Sequence, residues 1–322
     1  MKGKHTVIVK NSRLQYKFTV ERNITILRGD TATGKTTLID MIAAFQSNGA
    51  DSGITIKSDK SCTVLTGVRW EENLSLIHDS IVFIDEGDRF VLTEAFASAA
   101  KASDNYFVIA TRSSLFNLPY SVQEIYGIKN TSGNRYQGTK RLYSEFYPLN
   151  DTSISEIQRP DLVIVEDSNS GYQFFSNVFE TAGITCISAN GKSNIYSELI
   201  SHKYDVALVI ADGAAFGPEI ERILALKKAK QIILYLPESF EWLILKSDLL
   251  KDSEIRTILD GPNEYIDSQK HFSWERFFTS LLMEKSQGSY LRYNKPNLNP
   301  VYLNNREKNE ILNEMPEMNF FD

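Results

Sequence analysis

The chain has 322 residues, 42% of them hydrophobic and 24% charged, with a formal net charge of −6 and a pI near 5.4. That length lies between one large domain and two ordinary ones, and the composition suits a folded protein with a substantial core. The acidic balance argues against coating nucleic acid through bulk charge; no apolar run approaches the roughly 20 residues of a bilayer span, and the N-terminus lacks a signal-peptide core, so a cytoplasmic location without membrane association is expected.

Residues 5–10, 14–20 and 24–27 alternate as strands do, with a turn at Arg22-Asn23 before the third. The third strand runs into Gly29-Asp30-Thr31-Ala32-Thr33-Gly34-Lys35-Thr36-Thr37, and an apolar helical pattern follows over 38–45. Strand, glycine loop and helix in that order give G-x-x-x-x-G-K-[ST] its mechanical meaning as a P-loop. Glycines let consecutive backbone N–H groups converge on phosphates, and the helix N-terminus adds partial positive charge. In this reading residues 29–37 bind ATP, the Lys35 ammonium reaches the β- and γ-phosphates, and the Thr36 hydroxyl is a ligand of Mg2+.

A second buried run, 80–84, ends in Asp85-Glu86, the form of a parallel strand carrying magnesium-holding and water-polarising carboxylates. Asp85 is then the metal-side acid and Glu86 the general base; a buried strand ending in solvated acids is the structural alternative. A third run, 105–110, ends in Thr111-Arg112. In ATPases with an inserted central strand this terminus lies between the two motif strands, and Thr111 matches the γ-phosphate sensor. Arg112 reads equally as a phosphate contact or as a surface cation.

With these motifs in order, residues 24–127 resemble a compact AAA-type or STAND-type ATPase core. The resemblance implies ATP and Mg2+ as ligands and Lys35, Glu86 and Thr111 as catalytic groups. It departs in lacking an evident helical lid with a second sensor arginine and a clear arginine finger. A GTPase is disfavoured, because Asp85-Glu-Gly-Asp88 does not fit D-x-x-G and Asn294-Lys-Pro-Asn297 lacks the aspartate that reads guanine.

From 128 to 160 the sequence is polar, rich in tyrosine and poor in periodicity, which reads as a connecting region with one short hairpin. Lys129, Arg135, Lys140 and Arg141, with Tyr136 and Tyr143, form a basic aromatic stretch, read as a solvated loop with nucleic acid as the alternative partner. Residues 161–240 then alternate strand and helix: strands at 161–165, 184–190, 205–211 and 231–236, helices at 171–180, 195–202 and 219–230. Such alternation implies a parallel sheet whose ligands collect at the carboxyl ends of its strands. Glu166, Gly191 and Asp212 stand at such ends.

That arrangement resembles the Toprim fold of topoisomerases, primases and the overcoming-lysogenization-defect (OLD) nucleases. Glu166 matches the family's strand-end glutamate. Asp212-Gly-Ala214-Ala-Phe-Gly217 matches its D-x-D-x-x-G motif except that Ala214 replaces the second aspartate, which removes a hard oxygen ligand from a magnesium site built on Glu166 and Asp212. Asp167, Glu219 and Glu241 are the candidate substitutes. A Rossmann-like or receiver-like domain without chemistry is the alternative.

The region 241–322 reads as a helical extension, helical over 240–259 and 271–282, with a polar tail that wraps back or meets a partner. His5, His78, His202 and His271 are scattered and read as structural. Cys62 and Cys186 read as reduced thiols. The expectation is thus an α/β protein: a P-loop ATPase domain over 1–127, a connection, and a Toprim-like domain over 161–240. Its nucleotide state controls the second module, in a homo-oligomer or with an effector protein, and the OLD resemblance implies anti-phage or mobile-element defence. An active metal-dependent nuclease and a non-enzymatic ATP-stabilised scaffold are the alternatives.

Overall fold

Inward and outward side chains alternate along His5–Lys10 (β1) and Leu14–Val20 (β2), and the two strands pair antiparallel with Val7 opposite Phe18. Ile24–Leu27 (β3) is buried along its whole length, as a strand inside a parallel block must be. A computed structural model describes residues 1–29, 34–131, 141–151 and 154–320. The chain divides into two units, Met1–Asp151 with Pro262–Phe272, and Thr152–Gly261 with Ser273–Asp322.

In the first unit β3 leads to helix Lys35–Asn48 (α1), then strands Thr55–Lys57 (β4) and Ser61–Val64 (β5) and helix Trp70–Leu74 (α2). Strand Ser80–Ile84 (β6), helix Glu94–Ala102 (α3) and strand Tyr106–Ala110 (β7) follow. Ile125–Asn130 (β8) and Leu142–Pro148 (β9) close the unit as an antiparallel pair. Among the described residues these make one nine-stranded mixed sheet in the order β4-β1-β2-β9-β8-β3-β7-β6-β5. β8, β3, β7, β6 and β5 run parallel to their neighbours within that block. Strand β7 therefore stands between β3 and β6, the placement expected of it from the sequence.

Helix α1 lays Leu38, Ile39, Met41 and Ile42 on the core that holds Phe18, Phe83 and Val108. Each such burial is worth roughly 1.5–3 kcal/mol, so the glycine loop ahead of α1 is anchored at both ends by packed elements. Residues 142–148, within the region read from sequence as a connection with one short hairpin, are a sheet strand. β9 is half-buried on both faces, so it shows no alternation; backbone pairing with β8 and, in parallel, with β2 holds it.

The second unit contains Leu162–Val165 (β10), Ser170–Thr181 (α4), Thr185–Ser188 (β11), Ile195–Ser201 (α5), Val206–Ile210 (β12), Ile220–Lys227 (α6) and Gln231–Tyr235 (β13). Its four strands are all parallel, in the order β11-β10-β12-β13. Helices Phe240–Lys246 (α7), Ser253–Asp260 (α8), Trp274–Ser286 (α9) and Asn305–Leu312 (α10) follow. The helical run expected over 240–259 is two helices, interrupted where Asp248 adopts φ 57° and Asp252 caps α8 through Glu254 N–H. Residues 262–272 belong to the first unit: the Met1 ammonium pairs with Asp267, Gly3 N–H donates to Asn263 O, and Asn23 Nδ2 donates to Phe272 O. No helix among the described residues is long and apolar enough to cross a membrane.

Candidate functional site

In the first unit the chain leaves β3 through Gly29 and enters α1 from Gly34, at φ 132° and 93°. Both values lie in the region that favours glycine. At Gly34 a second constraint acts, because a Cβ there would stand 2.8 Å from the Tyr16 hydroxyl. Tyr16, on β2, is buried; its hydroxyl donates to Gly34 O at 3.1 Å and meets the Thr37 side chain. Burial raises its phenol above the ordinary value, with Thr37 pulling the other way. The sequence reading did not single out Tyr16, although a hydroxyl among the inward residues of β2 was its one visible sign.

Lys35 is 5% exposed, and its ammonium donates to Gly29 O at 2.5 Å, spanning the loop from its last turn to its first. Thr36 and Thr37 are exposed on the first turn of α1. Asp30, Thr31, Ala32 and Thr33 lie outside the described residues.

Asp85 follows β6, and its Oδ1 is buried with no hydrogen-bond partner among the described residues. A carboxylate oxygen in that condition is costly unless a cation or its water completes it. Glu86 is exposed and pairs with Arg112 Nε at 2.8 Å. An exposed ion pair contributes little stability, but this one ties the ends of β6 and β7 together and orients the Glu86 carboxylate. Thr111, at the end of β7, is buried; its hydroxyl accepts from Ser113 N–H at 3.0 Å and reaches Ser113 O at 3.2 Å. The expected sensor hydroxyl is thus engaged in a local turn. Asp88 accepts from Thr66 Oγ1 and Gly67 N–H, a loop-fixing role. Arg28, also passed over in the sequence, is buried just after β3 and reaches Ser114 Oγ and the Tyr120 hydroxyl, both at 3.3 Å.

In the second unit Glu166 and Asp212 follow the adjacent strands β10 and β12, and Asp212 N–H donates to Glu166 Oε2 at 2.9 Å. Burial, with Glu275 and Asp167 nearby, pushes Glu166 up to about 7. Burial, with Glu275, Glu166 and Glu241 close, holds Asp212 well above the usual carboxylate range. Asp167 is used as a helix cap, accepting from Tyr172 N–H at 2.7 Å at the start of α4. A cavity of about 20 Å³, the size of one water, is lined by Glu166, Asp167 and Asp212.

Gly213 sits so close to β13 that a Cβ would meet Leu236 O at 2.5 Å. Ala214, where the resemblance expects an acid, is 3% exposed, and the next two residues, Ala215 and Phe216, are buried as well. Glu219 is engaged elsewhere, paired with Arg222, whereas Glu241 stands close to Asp212 and accepts from the Tyr293 hydroxyl at 2.8 Å. Among the described residues no group of three or more His, Cys, Asp or Glu side chains is arranged to hold a metal ion. Glu275 and Lys295, which the sequence reading missed, join the acids at this end of the sheet, with Lys295 Nζ 2.9 Å from Glu275 and 3.4 Å from Glu241.

His5 pairs with Asp59 at 2.7 Å, and His78 with Asp104 at 3.2 Å. Both cysteines are free, and burial pushes the Cys62 thiol up to about 11 and the Cys186 thiol to about 12. Lys129 lies over the Tyr147 ring, while Arg135, Tyr136 and Lys140 fall outside the described residues. A cavity of 380 Å³ lined by Leu74, Ile77, Ala99 and Asp104 lies at the amino end of β7, away from the strand ends that carry Asp85 and Thr111. No family model matches the chain, and no curated protein matches it.

Proposed function

We propose that the chain binds and hydrolyses ATP with Mg2+ at the end of β3, and that its nucleotide state controls the second unit. The observation that carries the reading is the buried Asp85 Oδ1 at the end of β6, without a partner among the described residues, with β7 between that strand and β3. Gly29, Gly34 and Lys35 supply the conformations and the cation that a triphosphate needs. Thr36 and Asp85 would hold Mg2+, which when bound neutralises charge on the phosphates. Glu86 accepts the proton of the attacking water, and Arg112 sets its orientation. The P-loop ATPase identity, the Toprim-like identity of the second unit and the role in defence rest on the sequence resemblance.

The proposed control has a covalent route. Asn23, which precedes β3, donates to Phe272 O at 2.5 Å within the first unit. Two residues further on, α9 begins in the second unit, and its Glu275 is the partner of Lys295. The chain that carries Glu275 into the acidic cluster is thus continuous with a segment hydrogen-bonded beside β3, and the proposed control would run along it.

The test is ATP binding by calorimetry together with phosphate release, on the wild type and on Lys35→Ala and Glu86→Gln. Lys35→Ala is expected to lose binding, and Glu86→Gln to keep binding while turnover falls about 10²- to 10⁴-fold. Equal turnover by wild type and Glu86→Gln removes the hydrolytic part of the proposal. Absence of ATP binding by the wild type removes all of it.

A further inference from the structure

The second unit gathers Glu166, Asp212, Glu241 and Glu275 from four elements at the carboxyl end of its sheet, where parallel α/β sheets bind ligands. Like charges so close repel strongly in a site with little water, and the fold meets that cost from an unexpected part of the chain. Residues 293–298, remote in sequence from the strands, are stitched across this end. Ser170 N–H donates to Lys295 O at 3.0 Å, Gln173 Nε2 to Pro296 O at 3.1 Å, and Leu298 N–H to Gln173 Oε1 at 2.8 Å. The Tyr293 hydroxyl bonds both Ser170 Oγ, at 2.5 Å, and Glu241, at 2.8 Å. Between these fastenings the Lys295 ammonium enters the cluster, bonded to Glu275 and paired with Glu241. Burial alone would lower its pKa, yet Glu241, Glu275 and Asp212 raise it above its ordinary value.

We propose that Lys295 is the built-in counter-cation of this crevice and that the strap carrying it keeps divalent cations out. The ammonium stands among the carboxylates where a hard cation would otherwise be drawn, and the strap is held by backbone hydrogen bonds, so the plug is part of the fold. Removing the ammonium would leave the Glu241 and Glu275 carboxylates without their counter-charge, and hard oxygen ligands of that kind attract Mg2+ or Mn2+.

The inference is independent of nucleotide binding and is tested without nucleotide on the full chain, with MnCl2 as the probe and unfolding of the second unit followed by tryptophan fluorescence in a Trp70→Phe background. The wild type is expected to melt at one temperature with or without Mn2+. Lys295→Met is expected to melt several degrees lower and to recover at least half of that loss in millimolar Mn2+; Lys295→Arg is expected to behave as wild type. Adding Glu275→Gln to Lys295→Met is expected to restore melting without Mn2+ and to abolish the response to it, which also covers the case in which Lys295→Met alone does not fold. A Lys295→Met variant that melts as wild type, a loss that Mn2+ does not reverse, a double variant that stays unstable, or a Mn2+ response in the wild type overturns the proposal.

Discussion

Glu166→Gln tests the electrostatics of the acidic strand ends directly. The carboxyl is pushed from an ordinary value of 4.5 to about 7, first by burial and then by Glu275 and Asp167. Its folded-state pKa is raised, so the unfolded chain releases this proton first as pH rises. Below about 4.5 both states are protonated and the group is neutral to stability. Between 4.5 and 7 the unfolded state binds fewer protons, and stability falls by up to about 1.4 kcal/mol per pH unit before levelling off above 7. The full span corresponds to roughly 3 kcal/mol, an upper figure because the side chain is only partly buried and Asp212 shares the titration. A glutamine keeps an oxygen to accept Asp212 N–H, now 2.9 Å from Glu166 Oε2, and carries no charge to desolvate. The variant is expected to match wild type near pH 4.5 and to exceed it by about 1–3 kcal/mol at pH 8. At roughly 2–4 °C per kcal/mol for a unit of this size, that is a Tm gain of about 2–12 °C. Trp242 and Trp274 lie in the second unit and Trp70 in the first, so a Trp70→Phe background isolates the relevant transition. Taking the difference between variant and wild type at each pH cancels the other titrating groups. A difference that stays flat from pH 4.5 to 8, or that favours glutamate at pH 8, refutes the reasoning.

Two glycines give further tests. Gly34→Ala places a Cβ 2.8 Å from the Tyr16 hydroxyl at φ 93°, and is expected to weaken ATP affinity at least tenfold by calorimetry; adding Tyr16→Phe removes the clash but not the φ strain, so partial recovery is expected, and none would mean that Tyr16 is not the obstacle. Gly213→Ala puts a Cβ 2.5 Å from Leu236 O and 2.9 Å from Pro237 O, both rigid backbone, and is expected to cost about 3 kcal/mol in urea unfolding of the second unit. Gly191→Ala has φ 117° and ψ 149° but open space, so it carries only backbone strain of about 1–3 kcal/mol; a loss at Gly191 larger than that at Gly213 would refute the steric account.

The parts of this fold legible in the sequence are those in which one local pattern decides the outcome. Strands β3, β6 and β7 are short and fully buried, so their apolar runs and polar ends stand out; strict alternation did the same for β1 and β2. β9, inside a region read as a connection with one short hairpin, and α10, inside a polar tail, had no pattern to set their bounds. β9 carries Tyr, Ser and Glu at half-buried positions, and α10 buries only Glu307 and Ile311 along one narrow face. The break between α7 and α8 depends on a single residue, Asp248, at positive φ, which no periodicity reports. At the first candidate site, the loop, Asp85 and Glu86 were visible as a motif. Tyr16 was not, because its contact with Gly34 depends on how the sheet folds back. At the second site Glu166 and Asp212 were visible as strand ends, whereas Glu275 and Lys295 enter from elements more than 60 residues downstream of Asp212.

Ala214 and Lys295 bear on one electrostatic question. An acid at 214 would have to find solvent or a cation, and the position instead lies among buried Ala215 and Phe216, next to a glycine pressed against the end of β13. The side chain that is absent could not be accommodated there as a charge without rebuilding this turn. On the other side of the crevice, Lys295 supplies positive charge from within the chain. Both features lower the demand for an external divalent cation, one by removing negative charge and the other by adding positive charge. Phosphodiester cleavage by clustered metal ions needs the opposite balance. The second unit, as arranged here, is therefore poorly suited to cutting nucleic acid through clustered metal ions. Cleavage of plasmid DNA in Mn2+ is accordingly expected to be absent from wild type without ATP. Cleavage that depends on Glu166 under those conditions would mean that Lys295 is part of a working site rather than its plug.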